Sequence, residues 1–105
     1  MFAAGPARYF EKKVAPILTR RCLSCHNNQM KDGGISFLDR DSLLKGGSHG
    51  PAVVPGKPGQ SYLLRAIGYK DDVKMPPGIP LPAREVKILT EWIRRGAAWG
   101  RIGPQ

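Results

Sequence analysis

The residues best suited to chemistry in this sequence form one pentapeptide, Cys22-Leu23-Ser24-Cys25-His26. It fits C-x-x-C-H, the attachment pattern for c-type haem. Two thiols three positions apart lie on one side of a helical turn, so each can form a thioether with one vinyl group of the same porphyrin. His26 is then directed under the iron as the proximal imidazole ligand. The pattern predicts one covalently attached haem c.

Three other interpretations of the pentapeptide remain open. A zinc site could use Cys22 and Cys25, but it needs two more ligands from His26 and His49, and His26 is poorly placed directly after a chelating cysteine. A thioredoxin-like redox pair needs a βαβ context, and the sequence has no alternating strand pattern of useful length. A pentapeptide this short can also match by chance. Haem is the interpretation that we favour, and zinc is its main rival.

The second axial ligand of such a haem is expected from a loop on the distal side. Met75 lies in Lys74-Met75-Pro76-Pro77-Gly78, a segment that its two prolines stiffen. Its thioether is an iron ligand that raises the reduction potential. Of the other methionines, Met1 is terminal and Met30 lies four residues past His26, on the proximal side. The competing interpretation is that Met75 fills a gap in the core.

His49 is the alternative second ligand. We expect it instead to be a loop histidine, either exposed or hydrogen-bonded to a backbone carbonyl or a haem propionate. Four further residues could donate to the propionates or close the haem edge: Arg65, Tyr69, Trp92 and Trp99. Each also has an ordinary packing or surface role, which is the expectation for Trp92 in particular.

Three helices are predicted to position these residues. The first covers about 7–21, and Pro16 within it should kink it or restart it as a second short helix. The second covers about 58–67 and ends at Gly68. The third, over about 83–95, has one apolar stripe and a glycine stop. The stretches 31–58 and 71–82 hold too many glycines and prolines for more than single turns.

Composition limits the chain to one small domain. It has 105 residues, of which 13 are Gly and 10 are Pro, and it lacks the Gly-X-Y period of collagen. Its hydrophobic content of 41% is too high for a fully disordered chain. We expect a single all-α, loop-rich domain over 1–105, with a core at about 8–99. An interior this small is marginal, and a haem would help to fill it.

The formal net charge of +9 predicts an electrostatic preference for acidic partners. The basic residues are dispersed in ones and twos without a nucleic-acid motif, so nucleic acid is not an expected partner. No apolar run approaches the length of a membrane span. The first six residues lack the charged start and apolar stretch of a secretory signal. Either the chain works in the cytoplasm or a signal has been removed from it.

Together these motifs resemble the class I cytochromes c, and more narrowly the planctomycete-type cytochrome c family. The resemblance extends over nearly the whole chain, and the order of its motifs is more specific than C-x-x-C-H alone. The stretches that carry it are 10–18, 22–26, 46–58, 61–64, 74–77 and 89–99. One departure is Pro82, where related helices tend to carry a Ser or Thr cap, and it weakens the predicted start of the last helix.

The resemblance implies a small cytochrome c fold in which crossing N- and C-terminal helices clamp the haem. It implies Cys22 and Cys25 as thioether links and His26 and Met75 as axial ligands. It also implies an extracytoplasmic, periplasmic location, which favours a removed signal. The function it indicates is single-electron transport, not enzymatic catalysis, with an acidic redox partner protein or an attached redox domain.

Two other classes of function stay open at this point. A haem-based small-ligand sensor or a peroxidase-like domain would have a labile sixth ligand, although the sequence offers no Asp/Glu–His constellation dedicated to peroxide chemistry. A zinc-binding interaction module would be colourless.

Overall fold

Helices provide the regular structure of this protein. The computed structural model describes residues 5–22, 39–47, 49–69, 74–76 and 78–102, and within these ranges β-pairing is limited to one isolated bridge between Gly47 and Gly50. The helical elements, in chain order, are α1 (Gly5–Tyr9), a π-helical segment (Phe10–Val14), α2 (Ala15–Arg21), α3 (Arg40–Lys45), a 3₁₀ turn (Pro58–Gln60), α4 (Tyr62–Ile67) and α5 (Ala83–Arg94). The all-α expectation agrees with this architecture.

The first helix continues past Pro16 because it changes from α-helical to the wider π-helical geometry over Phe10–Val14. The sequence predicts one helix over 7–21 with a disturbance at Pro16, and the structure confirms both, with a start two residues earlier. Proline has no N–H to donate four residues back, and its ring collides with the carbonyl there. The π-helical turn relieves this conflict, and Ala15 N–H donates to Phe10 O five residues back.

A helix that the sequence analysis did not predict covers Arg40–Lys45. The glycine- and proline-rich sequence of this region predicts only single turns, and that prediction is wrong here. The Asp39 side chain caps the helix by accepting the Ser42 N–H at 2.8 Å. The helix ends at Gly46, whose φ of +78° favours glycine, and a Cβ at this position would lie 1.9 Å from Gly50 O. If α1, the π-helical segment and α2 are counted as the one continuous first helix, the described residues form four helices where three were predicted.

The last two predicted helices agree with the structure. The second appears as the 3₁₀ turn followed by α4, and Gly68 ends it by donating its N–H to Leu64 O at 3.0 Å. Helix α5 begins after Pro82, whose carbonyl accepts the Glu85 N–H at 2.9 Å. It is followed by Gly96 with φ of +108°. The helix therefore starts at the predicted position without a Ser or Thr cap.

The core lies where the first helix packs against α5. Phe10 in the π-helical segment is fully buried, with its ring centroid 5.8 Å from that of Trp92 and 4.2 Å from that of Trp99. Other buried members of the same apolar cluster come from the π-helical segment, from α2 to α5 and from residues outside the helices: Val14, Ala15, Ile17, Leu18, Cys22, Leu43, Ala52, Val53, Leu63, Ile67, Leu81, Leu89, Ile93 and Ala97. Burial of this cluster supplies the main driving force for folding.

Candidate functional site

Cys22 lies at the C-terminal end of α2, with its N–H donated to Leu18 O at 2.9 Å. Its side chain is buried within the apolar cluster and is not part of a disulfide. Cys25 and His26, the other predicted attachment and ligand residues, lie outside the described residues. The structure therefore gives the position of the first thiol of C-x-x-C-H and leaves the rest of the motif as a prediction.

A buried carboxylate anchors the residues directly before Cys22. Arg21 donates from Nε to Glu85 Oε1 at 3.1 Å and from Nη2 to Glu85 Oε2 at 3.3 Å. Arg20 donates from Nη2 to Glu85 Oε2 at 3.2 Å. The Glu85 side chain is only 4% exposed, so this ion pair, which we call the Glu85 clamp, ties the end of α2 to the first turn of α5.

Electrostatics keep the Glu85 clamp charged. The hydrogen bond from Arg21 lowers the pKa of Glu85, and the charge of Arg21 and the contact with Arg20 add to the effect against the cost of burial. The same contact with Glu85 raises the pKa of Arg21. In the sequence, Glu85 has the features of an ordinary acidic residue in a first helical turn. The sequence around Glu85 does not indicate that its partners are Arg20 and Arg21, which lie more than sixty positions away.

Met75 borders the same apolar cluster as Cys22. Its side chain is half-buried and packs against the buried core residues. The Met75 N–H donates to Ala66 O, at the end of α4, at 3.0 Å. The next residue, Pro76, accepts a hydrogen bond at its carbonyl from the Tyr69 hydroxyl. The predicted distal ligand thus sits on a loop segment in which Met75 is bonded to α4 and Pro76 to Tyr69, just beyond the end of α4.

His49 occupies the exposed loop position that the sequence predicts. Its ring is stacked on that of Tyr62 at the start of α4, with centroids 4.8 Å apart and ring planes 4° from parallel. The stack gives this histidine a fixed place on the surface.

Two of the proposed propionate donors have partners within the protein. Trp92 is 2% exposed, and its Nε1–H donates to Ala98 O at 2.7 Å, which confirms its packing role. The Tyr69 hydroxyl donates to Pro76, as described above. Trp99 packs on Phe10, and Arg65 is exposed. The donor groups of Trp92 and Tyr69 are therefore bonded to backbone carbonyls of the protein.

The described part of the site suits a haem group. Cys22 offers a thiol within the cluster of apolar side chains, and Met75 offers a thioether that packs against the same cluster. A porphyrin is a large apolar plate whose vinyl groups can form thioethers with cysteine thiols and whose iron accepts a methionine sulfur as a ligand. The donor chemistry and the apolar wall therefore fit the group that C-x-x-C-H predicts.

The described surface of the protein is strongly basic. Among the described residues, exposed lysines and arginines far outnumber exposed acidic residues, which are Glu11, Asp39 and Asp41. Glu91 on α5 is half-buried and paired with Arg94 and Arg95, and their hydrogen bonds lower its pKa to about 2. No helix in the described ranges combines the length and the apolar character needed to cross a membrane.

A comparison with protein families matches this site directly. The model of a family described as planctomycete cytochrome c matches residues 22–78, which is more than half of the chain. The matched stretch starts at Cys22 and includes Cys25, His26 and Met75. The chain matches none of the curated proteins and none of the solved structures with which it was compared.

Proposed function

The chain belongs to the planctomycete cytochrome c family, and from this premise we propose that it is a monohaem electron carrier with His26 and Met75 as axial ligands. Family membership supports a haem-binding electron carrier. The two axial ligands are proposed from this chain's own residues. When bound, the haem iron supplies one-electron chemistry between Fe(III) and Fe(II), so that the electron lost by a donor protein reaches an acceptor protein.

We propose that Cys22 and Cys25 hold the haem through thioether bonds and that His26 is its proximal ligand. The observation that carries the proposal is that the matched stretch begins at the first cysteine of C-x-x-C-H and reaches past Met75. The buried position of Cys22 in the apolar cluster, at the end of α2, supports it. The Glu85 clamp holds the residues before this thiol at a fixed place on α5.

We propose Met75 as the ligand on the opposite side. Its support is a half-buried thioether against the core that also contains Cys22, on a backbone fixed to α4. A neutral thioether favours Fe(II) over Fe(III) and so raises the reduction potential. The protein would wrap its helices and loops around this haem as a single domain over 1–105, with the haem completing the core.

The proposed partner is an acidic redox protein or an attached redox domain outside the cytoplasm, where cytochromes c normally work. The basic surface supports this choice, because opposite charge accelerates encounter and the acceleration falls with ionic strength. Small redox reagents test it without a known partner. We expect oxidation by anionic ferricyanide to slow as salt is added, and oxidation by a cationic ruthenium complex to quicken. Equal salt dependence for both would contradict the charge argument.

The proposed function is tested by the absorption spectra of the oxidised and dithionite-reduced protein, matured with the haem attachment machinery. We expect a low-spin haem c spectrum and haem that stays with the protein after acid extraction. The variant in which Cys22 and Cys25 are both replaced by Ala should yield no covalent haem. A colourless protein would favour the zinc-binding module, and a high-spin iron with an open position would favour the sensor or peroxidase-like class.

A further inference from the structure

The backbone at Met75 completes the C-terminal end of α4. The last carbonyls of a helix lack partners within it. Ala66 O, one of these carbonyls, accepts the Met75 N–H at 3.0 Å and also the Tyr69 N–H at 3.2 Å. The position of Met75 is therefore tied to a helix end whose neighbouring residues are buried in the core, namely Leu63 and Ile67.

Tyr69 makes a second connection to the same loop. It is half-buried, and its hydroxyl donates to the carbonyl of Pro76, the residue after Met75. One bond acts on the peptide N–H of Met75 and the other on the carbonyl of Pro76, so they hold the backbone before and after this pair of residues. Together they restrict the position of the segment that carries Met75.

The backbone of Tyr69 is unusual for an aromatic residue. Its φ is +58°, in the left-handed region, directly after Gly68 with an ordinary φ of −79°. A side chain with a Cβ adopts this conformation at a cost in free energy, and glycine at the same position would avoid it. Strained residues of this kind persist where the surrounding structure holds them, and they cluster at functional sites. In this conformation the Tyr69 side chain donates its hydroxyl to the carbonyl of Pro76.

We propose that Tyr69 is a positioning residue for the axial methionine, and that its hydrogen bond to Pro76 keeps Met75 bound to the haem iron. The inference rests on the proposed function, because it requires Met75 to be a ligand. A thioether is a neutral ligand that added imidazole can replace on ferric iron. The fraction of protein in which Met75 is bound to the iron therefore depends on how firmly the loop holds the sulfur near the iron. Fixing the Met75 N–H and the Pro76 carbonyl favours the bound state.

The test compares Tyr69→Phe with Tyr62→Phe in the haem-containing protein. Tyr62 is the first residue of α4, and the substitution keeps its ring for the stack on His49. The measurements are the near-infrared Met-to-Fe(III) band and the apparent affinity for imidazole. Loss of one hydrogen bond changes an equilibrium constant by about two- to tenfold, so imidazole should bind Tyr69→Phe more tightly by that factor. Tyr62→Phe should bind imidazole as the wild type does.

The outcomes separate this inference from the proposed function. A wild-type protein without the near-infrared band would overturn both, because Met75 would not be a ligand. A normal wild-type band, with the same band and the same imidazole affinity in Tyr69→Phe, would overturn the role of Tyr69 alone.

A second variant covers the case in which Tyr69→Phe fails to fold. Tyr69→Gly tolerates the left-handed backbone and also lacks the phenol. It should show the same increase in imidazole affinity, and wild-type affinity in this variant would contradict the proposal.

Discussion

The cysteine side and the methionine side of this molecule are held in place by different forces. On the cysteine side, Cys22 follows a helix whose inner face is buried against α5, and the Glu85 clamp joins the two elements. On the methionine side, Met75 is half-buried. It is held by the hydrogen bond from its own N–H to Ala66 O and by the hydrogen bond from the Tyr69 hydroxyl to the carbonyl of Pro76.

This difference has a functional consequence. A packed core loses stability when one of its large side chains is removed. A loop held by individual hydrogen bonds changes its position when a single bonding group is lost. A covalently attached haem needs its anchor fixed, and a methionine ligand needs a loop that sets how strongly the sulfur stays bound. We therefore expect substitutions on the cysteine side to change folding stability most, and those on the methionine side to change the iron's ligands most.

The largest effect on stability is expected from Phe10→Ala. The ring is fully buried between Trp92 and Trp99, so its removal leaves a cavity, and the haem-containing protein should lose about 3–5 kcal/mol of unfolding free energy. Denaturant unfolding measures the loss. Ile79→Ala is the control, because this side chain is 75% exposed and should cost less than about 0.5 kcal/mol. Equal losses in the two variants would contradict the packing described for the cysteine side.

A smaller loss is expected from Glu85→Gln. The carboxylate is buried and bonded to Arg20 and Arg21, and replacing it by an amide weakens charge-assisted hydrogen bonds worth about 1.5–3 kcal/mol. Glu91→Gln is a matched control, because Glu91 also binds two arginines but lies nearer the surface on the same helix as its partners. Its substitution should destabilise the protein less. A greater loss from Glu91→Gln would reverse the comparison.

The Glu85 contribution should also depend on pH. Its pKa in the folded protein lies below the ordinary value of 4.5 because Arg21 and Arg20 favour the carboxylate. The contribution is therefore fully present above the unfolded pKa and is lost as the pH falls through the folded pKa. The difference in unfolding free energy between wild type and Glu85→Gln should be constant near neutral pH and shrink below about pH 4. A difference that does not change across this range would contradict the clamp.

The smallest effect on stability is expected from Tyr69→Phe. One hydrogen bond is lost while the ring remains, so the unfolding free energy should fall by about 0.5–1.5 kcal/mol. The same variant should show the altered imidazole affinity described above. A destabilisation as large as that of Phe10→Ala would mean that Tyr69 supports the core and not specifically the methionine loop.

The helices could be predicted because their apolar positions repeat at helical spacing. Phe10, Leu89 and Ile93 are fully buried, as the pattern requires, and Gly68 ends α4. Helix α3 could not be predicted from glycine and proline content alone. Its signal is local, an Asp39 cap and a six-residue segment before a glycine.

The Glu85 clamp on the cysteine side and the Tyr69–Pro76 hydrogen bond on the methionine side could not be predicted from a sequence pattern. Glu85 meets Arg20 and Arg21 only because α2 and α5 pack together, and any exposed Arg or Glu would look the same in the sequence. The bond from Tyr69 to Pro76 depends on a left-handed backbone that a tyrosine does not indicate. The chemistry of the site, in contrast, follows from residue types and order, and it remains a prediction for Cys25 and His26.

The measurement that tests the account most directly is the near-infrared absorption of the ferric protein, recorded for the wild type, Met75→Ala and His49→Ala. Ligation by Met75 predicts a Met-to-Fe(III) band in the wild type and in His49→Ala, and its loss in Met75→Ala with a lower reduction potential. A wild type without the band, or a band that survives Met75→Ala, would contradict the assignment of the methionine side.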